Sequence, residues 1–269
     1  MIWALALLPA GAGLALWAAG GGRLRLGAWG VAVLAGTLAL ALVAEAGRFD
    51  WAPWFPLTAE LTSLTRLVAA LVPFVSAATV AFAAAQEEPE GLPRLVGLLL
   101  VFAGAMELVV ISADLVTLLI GWEAMGAISW ALIGHRWRRP EAMPSAGYAF
   151  VATRAGDLGL FLALFACVAA TGSAGFAALD ALTGATATLA ALGVVVAAAA
   201  KGGQVPFAPW LFRAMDGPTS VSALLHSSTM VAAGGFLLAR LHPQLGDAAG
   251  FAPAAISIGL ATALAGGLV

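Results

Sequence analysis

This 269-residue chain has few charged residues, one cysteine, one tyrosine and one lysine. Charged residues make up 10% of it, whereas soluble domains carry about 25%. The lone Cys167 can form no internal disulfide and supplies no metal cluster, so we interpret it as a packing residue. The chain also lacks a CxxC pair, a Walker loop and a glycine motif opening a βαβ unit. Redox or nucleotide chemistry is therefore expected only in a partner.

Hydrophobic residues are abundant instead. They form 62% of the chain, and the mean hydropathy is +1.00. This composition predicts an all-α polytopic membrane protein in a lipid bilayer. The net charge of −2 gives no indication of nucleic acid or an anionic surface as a partner.

Nine apolar stretches have about the length of a membrane-spanning helix, which is about 20 residues. They lie near residues 1–20, 26–44, 57–83, 92–111, 113–133, 145–170, 187–204, 217–240 and 250–269. The connections between them are short, so we expect no attached soluble domain. Trp51, Trp54 and Trp137 stand at span ends, as residues of an aromatic belt do.

Arginines are distributed unequally between the two sides of this arrangement. With the N-terminus outside, seven lie in inner loops: Arg23, Arg25, Arg94, Arg136, Arg138, Arg139 and Arg213. Two, Arg48 and Arg240, lie in outer loops. Because positive residues are enriched in cytoplasmic loops, we expect an outside N-terminus in a bacterial-type inner (cytoplasmic) membrane. The first span has no preceding positive region, so we interpret it as uncleaved.

The only lysine, Lys201, follows a long apolar run and precedes Gly202, Gly203 and Pro206. Those residues disrupt a helix. If the helix resumes near Pro209, the amine lies inside the membrane at a broken helix, where such residues commonly bind or move charge. The alternative is that Lys201 extends to the inner interface.

Glu123 lies near the middle of the fifth predicted span. Burial disfavours a charged carboxylate unless a cation or water compensates, so Glu123 is a candidate proton carrier. A structural hydrogen bond to a neighbouring helix is the alternative.

Arg154 and Asp157 are three residues apart on the sixth span. This spacing puts them on one helix face, where they can pair. We expect either a structural ion pair or a pair that tunes the protonation of Glu123.

His226 lies among hydroxyl residues: Ser220, Ser222, Ser227, Ser228 and Thr229. Since histidine titrates near physiological pH, this composition suits a hydrated proton relay, with helix–helix hydrogen bonding as the alternative. No second ligand stands at a metal-binding spacing, so we expect no metal site.

Two further acids are ambiguous. Asp114 falls at a predicted turn, where it can cap the following helix. Glu107 lies within a span and is either an additional carrier or a residue without a role.

Four motifs, in order and spacing, resemble the large antiporter-like subunits of respiratory complex I, called subunit L or subunit 5. They are residues 121–134 (GWEAMGAISWALIG), 150–157 (FVATRAGD), 201–210 (KGGQVPFAPW) and 216–234 (DGPTSVSALLHSSTMVAAG). The similarity covers about residues 57–242. It implies an antiporter-like fold over residues 57–269, with a broken helix around Lys201–Pro206. A two-helix region at residues 1–56 comes before it.

The resemblance implies roles for the same residues. Glu123 is similar to the family's proton-handling glutamate and Lys201 to its central lysine. Arg154 and Asp157 resemble its charge-tuning pair, and His226 the histidine that follows. The implied activity is proton translocation coupled to quinone reduction. Flavin, iron–sulfur clusters and quinone are then expected in other membrane and peripheral subunits of complex I, with no cofactor in this chain.

The chain departs from the family pattern in three ways. The second half of the family's inverted repeat is missing, so we expect a partial sequence. Gly202 and Gly203 stand where the family usually has serine and alanine, and Glu107 takes an ordinarily apolar position.

Three other functions share these motifs or this composition. They are the large subunit of a multi-subunit sodium/proton antiporter, the membrane subunit of an inorganic-carbon uptake complex, and a structural subunit whose charges only stabilise packing.

Overall fold

The computed structural model describes residues 1–51 and 56–268, without the side chains of Ser227 and Ser228. Its helices are α1 (Ala4–Ala19), α2 (Arg23–Val43), α3 (Ser63–Gln86), α4 (Leu92–Ile111), α5 (Leu115–Ile133), α6 (Ala142–Thr171), α7 (Gly184–Lys201), α8 (Pro209–Arg213), α9 (Thr219–Ala223), α10 (Met230–Leu245) and α11 (Phe251–Gly267). Two short strands are β1 (Gly47–Phe49) and β2 (Leu57–Ala59). The segments Gly134–Arg136, Phe176–Ala181 and Ala214–Asp216 are 3₁₀ helices, and Leu224–Ser228 is a π-helical segment.

Within the described residues, seven helical segments are long and apolar enough to cross a membrane. The last of them, Thr219–Leu245, joins α9, the π segment and α10. The first and ninth predicted spans correspond to α1 and α11, which are apolar but have only 16 and 17 residues. The multi-pass helical membrane architecture is thus confirmed, and the count of nine holds only if these two shorter helices are included.

The third predicted span begins too early. Residues 57–59 form β2, which pairs antiparallel with β1 so that Arg48 lies opposite Thr58. The α3 helix starts only at Ser63, because Thr62 and Thr65 form a reciprocal capping box that satisfies free backbone N–H groups. Prediction from apolar content alone missed this hairpin.

The strands mark one end of the helix bundle, which we call the strand face. There the carboxylate of Asp114 accepts hydrogen bonds from the backbone N–H and hydroxyl of Thr58, both at 2.6 Å. It also accepts one from the Thr117 N–H at 2.7 Å, as the N-cap of α5. The predicted capping role of Asp114 is confirmed.

The opposite end, which we call the arginine face, is organised by Glu87 at the end of α3. Its carboxylate pairs with Arg136 at 3.0 Å and accepts hydrogen bonds from the Ser220 N–H and hydroxyl at 3.0 and 2.8 Å. Its carbonyl oxygen accepts a hydrogen bond from Arg23 at 2.5 Å. Glu87 therefore connects α2, α3, the turn after α5 and the start of α9.

Two of the predicted belt tryptophans, Trp51 and Trp137, are exposed at the ends of the bundle. Trp54 lies outside the described residues.

Helices α1–α4 pack together, and α5, α6, α7 and α10 form a second group, joined to the first by α4 against α5. Glycines bring helices close in both groups. A Cβ at Gly13 of α1 would lie 2.5 Å from the Gly97 carbonyl of α4, and one at Gly159 of α6 would overlap the backbone of Gly193 in α7. Small residues that allow backbones to approach are the usual basis of helix packing in membranes.

Candidate functional site

Two ion pairs lie side by side within the second group of helices. Arg154 of α6 pairs with Glu123 of α5. Lys201 of α7 pairs with Asp157 of α6, with 3.3 Å between Nζ and Oδ2. Helix α6 therefore contributes one member to each pair, a cation to the first and an anion to the second.

The predicted pairing of Arg154 with Asp157 is wrong. Their spacing does put them on neighbouring positions of α6, but each finds a partner on a different helix. The side chain of Asp157 is 1% exposed, beside Lys201, whereas that of Arg154 is 36% exposed, beside Glu123. Sequence spacing shows which residues can pair within one helix, but it does not show which partners lie on the adjoining helices.

Lys201 is fully buried, so the alternative that it extends to an interface is excluded. Two residues of α5, Trp122 and Gly126, contribute to its environment. The Trp122 ring centroid lies 5.6 Å from Nζ, a distance compatible with a cation–π contact. The indole N–H of Trp122 donates to Asp157 Oδ1 at 2.6 Å. Trp122 thus contacts both members of the buried pair.

Gly126, one turn after Trp122, provides the space for the amine. A Cβ at this position would lie 2.7 Å from Lys201 Nζ, which is closer than packed atoms tolerate. The absence of a side chain at residue 126 therefore leaves room for the amine in the position where it pairs with Asp157. The four-residue spacing of Trp122 and Gly126 places both on one face of α5, but nothing in the sequence assigned that face to Lys201.

The predicted break after Lys201 is present. The Gln204 N–H bonds to the Ala199 carbonyl at 2.9 Å, and Gly203 has a φ of 61°, a left-handed conformation that glycine adopts readily. Trp210, fully buried in α8, donates its indole N–H to the Ala200 carbonyl at 2.7 Å. The same carbonyl, one residue before the lysine, also accepts the Gly203 N–H at 3.2 Å, so the acceptors at this break have partners within the protein, as irregular backbone within a membrane requires.

His226 lies in the π-helical segment Leu224–Ser228, a rare geometry that is frequent at functional sites. Its ring stacks edge-on against Trp210, with centroids 6.1 Å apart. Within the part of the chain that is described, Nε2 has no hydrogen-bond partner and shares no ion pair or hydrogen bond with Lys201. Trp210 is the residue that contacts both the lysine-bearing break and the histidine.

The predicted hydroxyl environment of His226 is only partly accounted for. Ser220 bonds to Glu87, and the Thr229 hydroxyl donates to the Leu224 carbonyl at 2.5 Å. The side chains of Ser227 and Ser228 lie outside the description. The structure therefore brings together Glu123, Arg154, Asp157 and Lys201, and relates His226 to them through Trp210. Trp122, Gly126 and Trp210 were not predicted as site residues.

Comparison with known proteins gives a consistent result. Residues 112–269 match the family described as NADH:quinone oxidoreductase/Mrp antiporter, TM. NADH-quinone oxidoreductase subunit L of Mycobacterium tuberculosis (strain ATCC 25618 / H37Rv) is 37% identical over 180 residues, which is 65% of this chain and 28% of the relative. NADH-ubiquinone oxidoreductase chain 5 of Branchiostoma floridae is 45% identical over 142 residues, 53% of this chain and 24% of the relative.

Among solved structures, the Mrp complex from Dietzia sp. DQ12-45-1b contains a similar chain. The TM-score is 0.83 at 28% identity, covering 93% of this chain and 28% of that one. This chain thus spans about a quarter of the length of the relatives it matches.

Proposed function

The chain belongs to the NADH:quinone oxidoreductase/Mrp antiporter transmembrane family, and from that premise we propose that it is a proton-translocating membrane subunit of an NADH-quinone oxidoreductase. Flavin, iron–sulfur clusters and quinone belong to its partner subunits, and this chain moves protons. The observation that carries the proposal is the fully buried Lys201–Asp157 pair, next to a helix break and to a second ion pair. Charges inside a membrane are costly and are commonly retained for transport.

The arrangement of the two pairs supports a coupling mechanism based on exchange of partners. When Glu123 takes up a proton, Arg154 loses its counter-charge. Asp157 is the nearest alternative, three residues along the same helix. As Arg154 moves toward Asp157, the carboxylate stabilises the Lys201 ammonium less, and the buried lysine releases its proton because burial disfavours its charged form.

His226 receives the proton in this mechanism. Its Nε2 is buried and has no partner among the described residues, so it has an unoccupied acceptor or donor position. Trp210 fixes the histidine relative to the break, since it contacts the His226 ring and binds the Ala200 carbonyl. Water within the cavity that such a break borders would complete the step from Lys201.

The wider assignment follows from the same premise. The other membrane and peripheral subunits of complex I are its partners, and residues 57–269 form the translocating domain, after a two-helix region at 1–56. The arginine face lies on the inner side of a cytoplasmic membrane of bacterial type, and the N-terminus lies on the outer side. This orientation agrees with the positive-inside rule.

A second candidate is the large subunit of a multi-subunit sodium/proton antiporter. The likeness to a chain of an Mrp complex over 93% of this chain supports it. The two candidates differ in the driving force, which is electron transfer in the first and an ion gradient in the second.

Membrane vesicles containing the assembled complex would test the proposal. We expect NADH to drive proton uptake in the wild type, and Lys201→Ala to reduce it by at least about a hundredfold, a typical loss when a proton-transfer group is removed. Arg48→Ala is the control, because Arg48 lies in an exposed pair with Asp50 on the strand face and should leave uptake unchanged.

Unchanged proton uptake by an assembled Lys201→Ala complex would contradict the relay. Proton movement that needs a sodium gradient and ignores NADH would favour the antiporter. The proteins that copurify with a tagged chain give an independent answer: flavin and iron–sulfur subunits support the first candidate, and small antiporter subunits support the second.

A further inference from the structure

A third acid, Glu107, lies in a membrane-spanning helix, and none of the described residues gives it a counter-charge. It is in α4 and is fully buried. Neither carboxyl oxygen has a hydrogen-bond partner in the described parts of the chain. Glu107 belongs to no motif or ion pair described above, so its protonation state must be inferred from its surroundings.

Glu107 faces away from the paired charges. Residues 105 and 109 of α4 face α5, because a Cβ at Gly121 would meet the Ala105 carbonyl and the Val109 N–H at 3.2 and 2.8 Å. Residue 107 lies about 200° around the helix from both, at 3.6 residues per turn. It shares its face with Leu100, two turns away, which lies against Gly13 of α1 and Gly30 of α2.

The helices packed around α4 supply no cation for this carboxyl. Helix α1 has no ionisable side chain. On α2, Arg25 is exposed and Arg23 binds carbonyls at the end of α3. On α3, Arg66 binds the carbonyls of residues 41, 42 and 44. On α5, Glu123 is paired with Arg154.

An unpaired carboxylate in such a place costs several kcal/mol even after relaxation, so the group is uncharged. Helix α3, which packs against α4, also has a buried polar group without a partner among the described residues, the hydroxyl of Ser76. A carboxylic acid and a hydroxyl both donate and accept, and internal water in proteins typically binds otherwise unsatisfied buried polar groups. Water at an acid provides a path for its proton.

We propose that Glu107 is a second proton-binding site of this protein, a neutral carboxylic acid that takes up and releases a proton within the α1–α4 group. It lies at nearly the same depth as Glu123, since Gly121 is level with residues 105–109 and Glu123 is two residues, or about 3 Å, further along its helix. Helix α4 separates this site from the relay on α5–α7.

Infrared spectroscopy of the assembled complex in its native membrane tests the site directly. We expect the wild type to show the C=O band of a buried protonated acid at neutral pH. Glu107→Gln, which keeps the shape of the side chain, should lose this band, and Glu123→Gln should retain it. After transfer to D2O, exchange of the acid proton for deuterium shifts the band. We expect this exchange to be faster during turnover than at rest. The band and its loss in Glu107→Gln are read at rest and do not depend on what drives transport, so they are separate from the test of the relay; the comparison during turnover uses whichever driving force the vesicle experiment identifies.

Two results would overturn the proposal. One is the same acid band in Glu107→Gln and in the wild type. The other is a Glu107 band whose deuterium exchange is no faster during turnover than at rest, since a fixed structural acid behaves so. If Glu107→Gln does not assemble, Glu107→Asp applies the same criterion, because it retains the acid and should displace the band rather than remove it.

Discussion

The two groups of helices bury ionisable side chains in opposite ways. Among the described residues, α5–α7 hold an anion and a cation in each of two adjoining pairs, whereas α1–α4 hold one acid, Glu107, without a partner. The paired group also contains the helix break, and the π segment precedes its α10. The comparison indicates two ways to keep an ionisable side chain inside the membrane: pairing with an opposite charge in one group and, as proposed for Glu107, loss of the charge by protonation in the other.

Replacing the buried acid in each group should give the largest difference between them. Asp157→Leu leaves Lys201 buried without a counter-charge, and we expect a loss of about 3–5 kcal/mol in stability. Glu107→Leu removes an unpartnered polar group and should be neutral or stabilising. Thermal denaturation of the assembled complex measures both.

A double variant provides the control. Lys201→Met added to Asp157→Leu should recover much of the lost stability, because no unpaired charge then remains. Equal destabilisation by Asp157→Leu and Glu107→Leu would remove the distinction between the two groups.

Gly126→Ala tests the paired group without deleting a charge. The added methyl group would lie 2.7 Å from the lysine amine, closer than packed atoms tolerate, so the amine must shift relative to Asp157. Because the far end of a lysine side chain is flexible, we expect assembly to persist while NADH-driven proton uptake falls by about tenfold or more, as misplacement of a reacting group by 1 Å can cost more than this.

Gly36→Ala on α2 is the matched control, because a Cβ there has no atom within 4 Å. Wild-type uptake in Gly126→Ala would show that the position of Lys201 against Asp157 does not matter for transport.

The last comparison lies within the paired group, between two substitutions of Glu123. Glu123→Asp keeps a titratable carboxyl one methylene shorter, and Glu123→Gln keeps the shape without the titration. If Glu123 carries protons, uptake should fall much further in Glu123→Gln. Similar uptake in the two variants would indicate a structural hydrogen bond instead.

Individual residues show how far prediction from the sequence extended. The position of Lys201 at a helix break was predictable, because one lysine before two glycines and a proline is an unusual pattern in an apolar run. The cap at Asp114 was predictable for a similar local reason. The partner of Asp157 was not, because it lies on another helix, 44 residues further along the chain. The roles of the five predicted relay residues and the division at residue 56 stay predictions.

The sequence by itself determined the class of protein and which ionisable residues fall within its apolar spans. Apolar length, arginine distribution and the scarcity of other charges are sums over local residues, and they require no knowledge of packing. Only the tertiary structure decided which charges pair and which remains alone. Pairing depends on which helix faces meet, and those are set by close contacts such as Gly159 with Gly193 and Gly126 with Lys201, whose partners are distant in the chain.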